Sequence, residues 1–281
     1  MAKKNDNKGK YSGKKDRNRG KRNYSGKPRP FERKSKAPIP KTDTDLVRLN
    51  RYLANAGICS RRDADDLIKA GLVEVNGKVV TEMGFKVKPD DKVKYAGETI
   101  SAEKKVYVLL NKPKDFITTK SDPQNRRTVM HLLKGTGKER IYPVGRLDRM
   151  TTGLLLFTND GQLAKKLTHP RHGVKKLYHV HLDKAVNGDH LKEISEGVKL
   201  EDGIMKADDI SFVGNGNDKK QVGIEIHSGK NRIVRRLFES FGYKVIKLDR
   251  VSFAGLTKKD LPRGKWRFLT QQEVSMLKML K

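Results

Sequence analysis

The chain has 281 residues, with 63 Lys and Arg against 33 Asp and Glu, a formal charge of +30 and a pI of about 10.1. So many cations attract a polyanion at long range and repel one another without it, which ranks nucleic acid first among partners and an anionic membrane second. No apolar run approaches the roughly 18 residues of a spanning helix, and the N-terminal segment has no apolar signal core, so the expectation is a cytoplasmic protein with no membrane partner.

Residues 1–44 contain Lys, Arg, Gly, Asn, Ser and Pro with almost no aliphatic side chains; through Lys41 there are 16 Lys and Arg and 3 acids. A segment of this kind buries too little apolar surface to offset its ordering entropy, and a disordered basic tail is expected. Two Tyr and one Phe spaced among the cations suit stacking on unpaired bases, so we read it as a non-specific RNA-binding extension.

Residues 45–103 read as a compact module. "DLVRLNRYLANAG" sets Val47, Leu49, Tyr52 and Leu53 on one helical stripe, with Gly57 as the stop. Ser60 fits the N-cap of a second helix ending at Gly71, and Asn76-Gly77 between alternating apolar residues predicts a hairpin. Arg48, Arg51, Arg61, Arg62 and Lys69 fall on the polar side. The lone Cys59 cannot form an intrachain disulfide, which suits a reducing cytosol; beside Gly57 and Ile58 it reads as a small packed residue. The run "VRLNRYLANAGICSRRDADDLIKAGLVEVNGKVV" resembles, nearly position by position, the alpha-L RNA-binding module named after a small-subunit ribosomal protein. That resemblance implies docking of the basic helical face on structured RNA.

Residues 104–281 begin with "KVYVLLNKPKDFITT". Strand-like runs follow at 153–158, 176–182, 205–213, 220–228 and 244–253, with helical stretches at 160–168, 189–197, 231–241 and 271–280. This mixture predicts an α+β domain with a mixed, largely antiparallel sheet. No Walker loop, dinucleotide fingerprint or Gly-x-Ser-x-Gly elbow is present, which argues against nucleotide-triphosphate, NAD and serine-hydrolase chemistry. The histidine pairs His169/His172 and His179/His181 have no third ligand at metal spacing.

One acid stands out in "YPVGRLDRMTTGLLLFTNDG": Asp148, between Arg146 and Arg149 at the start of an apolar strand. Hydrolysis of an ordinary glycosidic bond uses two carboxylates, but Asp160, the nearest other acid, sits between Asn159 and Gly161 where it reads as a helix cap. A lone carboxylate beside arginines stays ionised, favouring a nucleophile or base over a proton donor; a surface ion pair with Arg146 or Arg149 is the plainer reading. In "EIHSGKNRIVRRLFESFGYKV", Asn231 can open a helix that buries Ile233, Val234, Leu237 and Phe241, and Arg232, Arg235 and Arg236 point elsewhere. In "KKLYHVHLD", Tyr178, Val180 and Leu182 share one strand face and His179 and His181 the other.

"GRLDRMTTGLLLFTNDG", with "KPKDF" before it, "KLYHV" after it and "GKNRIVRRLFESFGYKV" later, resembles the pseudouridine synthases that modify ribosomal RNA, in the branch that joins an alpha-L module to the synthase domain. The resemblance spans about 46–270, including "LPRGKWRFLT", and implies a 45–103 RNA-binding domain and a 104–281 catalytic domain. It implies that Asp148 is the catalytic aspartate, that Tyr178 packs against the target base and assists proton removal, and that Arg235 pairs with Asp148. Arg146, Lys112 and the adjoining Pro113 match positions lining the RNA cleft. Arg149, Arg232 and Arg236 are left as further RNA contacts. Ile233 departs from the pattern, since relatives commonly carry Glu or Gln there; the departure bears on a hydrogen bond from this position and not on the catalytic set. The reaction detaches uracil from C1′, turns it and rejoins it through C5, so no redox step, phosphate bond or cofactor is implied; "GLLLF" and Tyr178 are expected to wall the pocket. The expected partner is ribosomal RNA, large subunit ahead of small, free or in an assembling particle, bound by a monomer. The rival readings are a non-catalytic RNA-binding assembly factor and a basic DNA-binding protein.

Overall fold

The computed structural model of the chain describes residues 46–101 and 103–280; the basic tail expected over 1–44 lies outside them. Helix α1, Leu49–Asn55, buries Leu49 and Leu53, and α2, Arg61–Lys69, buries Ala64 and Ile68. The Ser60 hydroxyl accepts from the Asp63 amide while the Asp63 carboxylate accepts from the Ser60 amide, closing a capping box at the start of α2. Val47 was expected on the helical stripe but sits in a two-residue strand paired with Val87. Its β-branched side chain favours extended backbone. Asn76 and Gly77 adopt left-handed φ of 54° and 80°, the pairing a tight hairpin needs, between Val73–Val75 and Lys78–Val79. The module has its own core, in which Leu49, Leu53, Ile68, Val73 and Val93 are fully buried.

The remainder is organised by a nine-stranded sheet. Its main path uses β1 (Tyr107–Lys112), β2 (Thr152–Thr158), β3 (Lys176–Leu182), β4 (Asp209–Phe212), β5 (Gln221–Ile226), β6 (Val245–Phe253) and β7 (Trp266–Phe268). They lie in the order β4-β5-β3-β6-β2-β1-β7, and every neighbouring pair is antiparallel except β6 with β2. The fold is α+β, with the mixed, largely antiparallel sheet the sequence predicts. The strand predicted over 205–213 is two strands. Ala207 is buried and its amide donates to Ile194, which bends the chain between a hairpin strand, Gly203–Met205, and β4.

Helices cover both faces. Leu155 and Phe157 of β2 pack with α4 (Gly188–Glu196) and α5 (Ile233–Glu239), while Leu154 and Leu156 pack with α3 (Gly161–Thr168) and α6 (Gln271–Met279). A strand buried on both sides reads as a continuous apolar run, which is why "GLLLF" shows no alternation. Asp160 caps α3, accepting from the amides of Gln162 and Leu163. Helix α5 occupies Ile233–Glu239 of the predicted stretch 231–241: Arg232, in left-handed backbone at φ 45°, takes the N-cap position expected of Asn231, which lies in the preceding turn. No described helix is long and apolar enough to cross a membrane.

The parallel pairing of β6 with β2 requires a glycine. Gly153 lies opposite Arg250 with φ +105°, and a Cβ there would fall onto the Arg250 backbone. Next to it, Thr152 Oγ1 donates to Asp249 at 2.6 Å, and Lys258 and Arg263 pair with the same carboxylate. β2 and β6 are thereby locked where the polar loop 146–151 emerges.

Candidate active site

The loop Arg146–Thr151 is held by the segment just after β1. Lys112, at the end of β1, is 0% exposed, and its ammonium donates to the carbonyls of Asp148 (3.0 Å), Arg149 (3.1 Å), Thr151 (2.8 Å) and Pro113 (3.2 Å). Thr118 Oγ1 donates to the Leu147 carbonyl at 2.7 Å and accepts from the Leu147 amide at 3.2 Å, and the Asp115 amide bonds the Arg149 carbonyl. The residues of "KPKDFITT" therefore shape the turn that presents Asp148. Burial pushes the Lys112 ammonium down to about 8, against the charges of Asp148 and Asp115. The expectation that Lys112 lines the RNA cleft is corrected: a side chain enclosed by four carbonyls cannot reach a phosphate.

Asp148 opens onto a cavity of about 250 Å³, room for a single nucleoside. Its side chain is 38% exposed, and Oδ2 lies 4.0 Å from Nε of Arg235, whose side chain is 11% exposed. Arg235 stands behind Asp148 and outside the cavity lining, its Nη1 donating to the Val245 carbonyl at 2.9 Å. Burial and the charge of Arg232 push the Arg235 guanidinium down, and the Asp148 charge supports it. Tyr178, 9% exposed, reaches the same cavity from β3, and the strand alternation places His179 and His181 on the opposite face, as predicted. Three residues separated by up to 87 positions in sequence thus meet at one site.

Among the described residues Asp148 is the only carboxylate lining the cavity, amid Arg146, Lys176, Lys230, Arg232 and Arg250. Lys176 donates to the carbonyls of Val174 (2.9 Å) and His227 (2.6 Å), and burial, reinforced by Arg250, pushes its ammonium down to about 8. Arg250 is 3% exposed; its Nε donates to the Leu154 carbonyl at 2.8 Å and its guanidinium lies 4.6 Å from the Phe253 ring centre. With one carboxylate there is no paired acid and base for ordinary glycoside hydrolysis. The apolar walls are Val144, Leu147, Leu167, Ile233, Val234, Leu248 and Phe253. The residues of "GLLLF" were expected there and are not: both faces of that strand are consumed by the two cores.

Among the remaining predicted residues, Arg146 is exposed at the cavity rim and Arg232 lines it. Arg149 pairs at the surface with Asp115 at 3.1 Å rather than with Asp148. Arg236, expected as an RNA contact, has its guanidinium bound to Asp202 at 2.8 Å and lines no part of the cavity. In the module Arg48, Arg61, Arg62 and Lys69 are exposed and Arg51 is half-buried. Lys176 and Arg250 were missed. The signal was present, since Lys176 shares strand parity with Tyr178, and Arg250 occupies an inward position in the apolar pattern of β6.

Comparison with known proteins is consistent with this geometry. Residues 106–240 match the family described as RNA pseudouridylate synthase, and residues 47–93 match the S4 domain. A ribosomal large subunit pseudouridine synthase B from Bacillus subtilis is 43% identical over 241 residues, covering 84% of this chain and 97% of its own. An RNA pseudouridine synthase from Aquifex aeolicus is 40% identical over 233 residues, 82% of this chain and 93% of its own. The crystal structure of a pseudouridylate synthase superposes with a TM-score of 0.60 at 29% identity, covering 82% of this chain and 99% of that one.

Proposed function

The chain belongs to the RNA pseudouridylate synthase family, and from that premise we propose that it converts a uridine of large-subunit ribosomal RNA to pseudouridine, with Asp148 as nucleophile or base. The observation that carries this reading is that Asp148 and Tyr178 line one nucleoside-sized cavity while Arg235 lies 4.0 Å from Asp148 just outside it.

The reaction breaks the C1′–N1 bond, turns the uracil, forms C1′–C5, and moves a proton from C5 to N1. Asp148 starts it, by attack on C1′ or by taking a proton from the sugar. Arg235, 4.0 Å away, orients the carboxylate from behind. Tyr178 packs against the uracil and assists loss of the C5 proton. The apolar walls keep the detached base from escaping. The uridine must leave its stack to enter, at a cost of a few kcal/mol, and the cations around the cavity offset this through contacts to phosphate. No step requires a cofactor. The exposed cations of the module and the many Lys and Arg of residues 1–44 add affinity, and the substrate is ribosomal RNA, free or in an assembling particle. The large-subunit target follows the relative from Bacillus subtilis.

The test is to incubate the purified protein with unmodified transcripts of large- and small-subunit rRNA and map pseudouridines by carbodiimide adducts and primer extension. A single stop on the large-subunit transcript is expected. Modification of the small-subunit transcript alone would overturn the target, and no modification of either would overturn the function.

A further inference from the structure

A second concavity, of about 740 Å³, lies between the S4 module and the synthase domain. Arg48, Arg51 and Arg61 project into it from the module, and Lys120, Arg140 and Lys165 from the synthase domain. Among the described residues no Asp or Glu lines it. Among the described residues, Arg140 makes a 4.0 Å contact to Asp63, and the other five have no carboxylate within ion-pair distance. Cations on an ordinary solvated face splay apart, whereas these converge from two domains on one space. Their mutual repulsion is felt locally: burial and the charge of Arg140 both press the Lys120 ammonium down. Such a groove stores repulsion that a polyanion relieves.

The walls are braced. The Glu103 amide bonds the Asn55 carbonyl at the end of α1, while its carboxylate accepts from the Arg140 amide and from Asn159 Nδ2, both at 3.0 Å. One residue thus staples the module to the sheet beside the groove. Tyr142 forms part of the wall, with the Lys120 ammonium 5.8 Å from its ring centre. An aromatic ring among cations is the combination that binds unpaired nucleotides, through stacking and backbone charge.

Helix α3 connects this groove to the catalytic cavity. Gly161, Ala164 and Lys165 line the groove, and Leu167 and Thr168, at the other end of the same helix, line the cavity beside Asp148. At 1.5 Å per residue the two ends are about 10 Å apart, close enough for one RNA strand to occupy both. A concavity of this volume falls in the roughly 300–1,000 Å³ range of sites for small ligands, too small for a duplex.

We propose that this groove is a second RNA site, which holds the phosphates of a single-stranded stretch near the target uridine and stacks one of its bases on Tyr142. It rests on the function proposed above, and adds that the groove sets the register in which the strand enters the cavity.

Cys59, the sole cysteine, also lines the groove and reports on its occupancy. The full chain is titrated with a uridine-rich single-stranded oligonucleotide and with an RNA duplex, while maleimide labelling of Cys59 is followed. The single strand should slow labelling and the duplex should not. Arg140→Glu combined with Lys165→Glu should abolish that protection and flatten the slope of log affinity against log salt by about 1.4, two single-strand contacts. Tyr142→Leu should weaken binding roughly 5- to 150-fold, the range for one lost stack, with melting curves confirming that each variant folds. Lys192→Glu, at an exposed position of α4, serves as the control and should change nothing. Unprotected Cys59, an unchanged salt slope or better protection by the duplex would each overturn the groove assignment. Pseudouridine formation by the wild type, measured in parallel, separates this failure from a failure of the enzyme reading.

Discussion

Replacing Lys112 with Met keeps the length of the side chain and removes the ammonium that four carbonyls share. The Asp148 carbonyl also accepts from the Thr151 amide and the Arg149 carbonyl from the Asp115 amide, so each keeps one partner. The carbonyls of Pro113 and Thr151 keep none of the bonds described above. Two orphaned acceptors, Thr151 buried and Pro113 half-buried, at up to about 1–3 kcal/mol each give a loss of at most about 2–6 kcal/mol. Relief of the ammonium's desolvation, visible in its displacement to about 8, offsets part of this, and the expected fall is about 2–4 kcal/mol. Trp266, the only tryptophan, is paired with Leu110 two residues before Lys112 in β1, so its fluorescence reads the unfolding of this part of the sheet. Urea titration followed by Trp266 should show the lower midpoint, and turnover should fall because the Asp148 loop loses its anchor. Lys112→Arg should not restore either, since the larger guanidinium has no space in a fully enclosed site. A midpoint and turnover both equal to wild type would refute the claim that Lys112 builds the loop.

Gly153→Ala forces a side chain into left-handed backbone, worth about 1–3 kcal/mol by itself, and onto the Arg250 backbone; a substantial drop in melting temperature is expected, and an unchanged one would contradict the crossing geometry. Burial alone would raise the Asp249 carboxyl, but the bonds from Lys258 and Thr152 and the charges of Arg263 and Lys258 hold it below its ordinary value. A carboxyl depressed in the folded state stabilises above its unfolded value of about 3.9 and loses that contribution as pH falls through the folded value. Asp249→Asn should therefore melt lower than wild type at neutral pH, with the gap closing in acid; a gap independent of pH would remove the ionic argument. Arg235→Met leaves Asp148 without its ionic partner and should lower kcat at least about 100-fold, with partial recovery in Arg235→Lys; equal kcat in all three proteins would count against the pairing.

Much of this architecture could be read from the chain, because local chemistry and tertiary packing agree there. Asn76-Gly77, the Ser60 cap, the Asp160 cap and the alternation of Tyr178, Val180 and Leu182 each appear where the pattern puts them. The proximity of Arg235 to Asp148 came from the family resemblance and not from spacing, since no local rule links positions 87 apart. What stayed hidden depends on which neighbour a polar group finds. Lys112 looks like any surface lysine until β1 ends beneath the loop 146–151. Arg236 looks free until Asp202 arrives from a hairpin. "GLLLF" looks like a pocket wall because a strand buried on two faces and a strand bordering a cavity share the same composition.

The central claim, that one carboxylate at position 148 initiates the chemistry, is tested most directly by Asp148→Asn. The account predicts pseudouridine formation reduced by on the order of 10⁴-fold or more, with RNA affinity close to wild type because the amide disturbs none of the surrounding cations. Turnover near that of wild type, with the folded state intact, would contradict it.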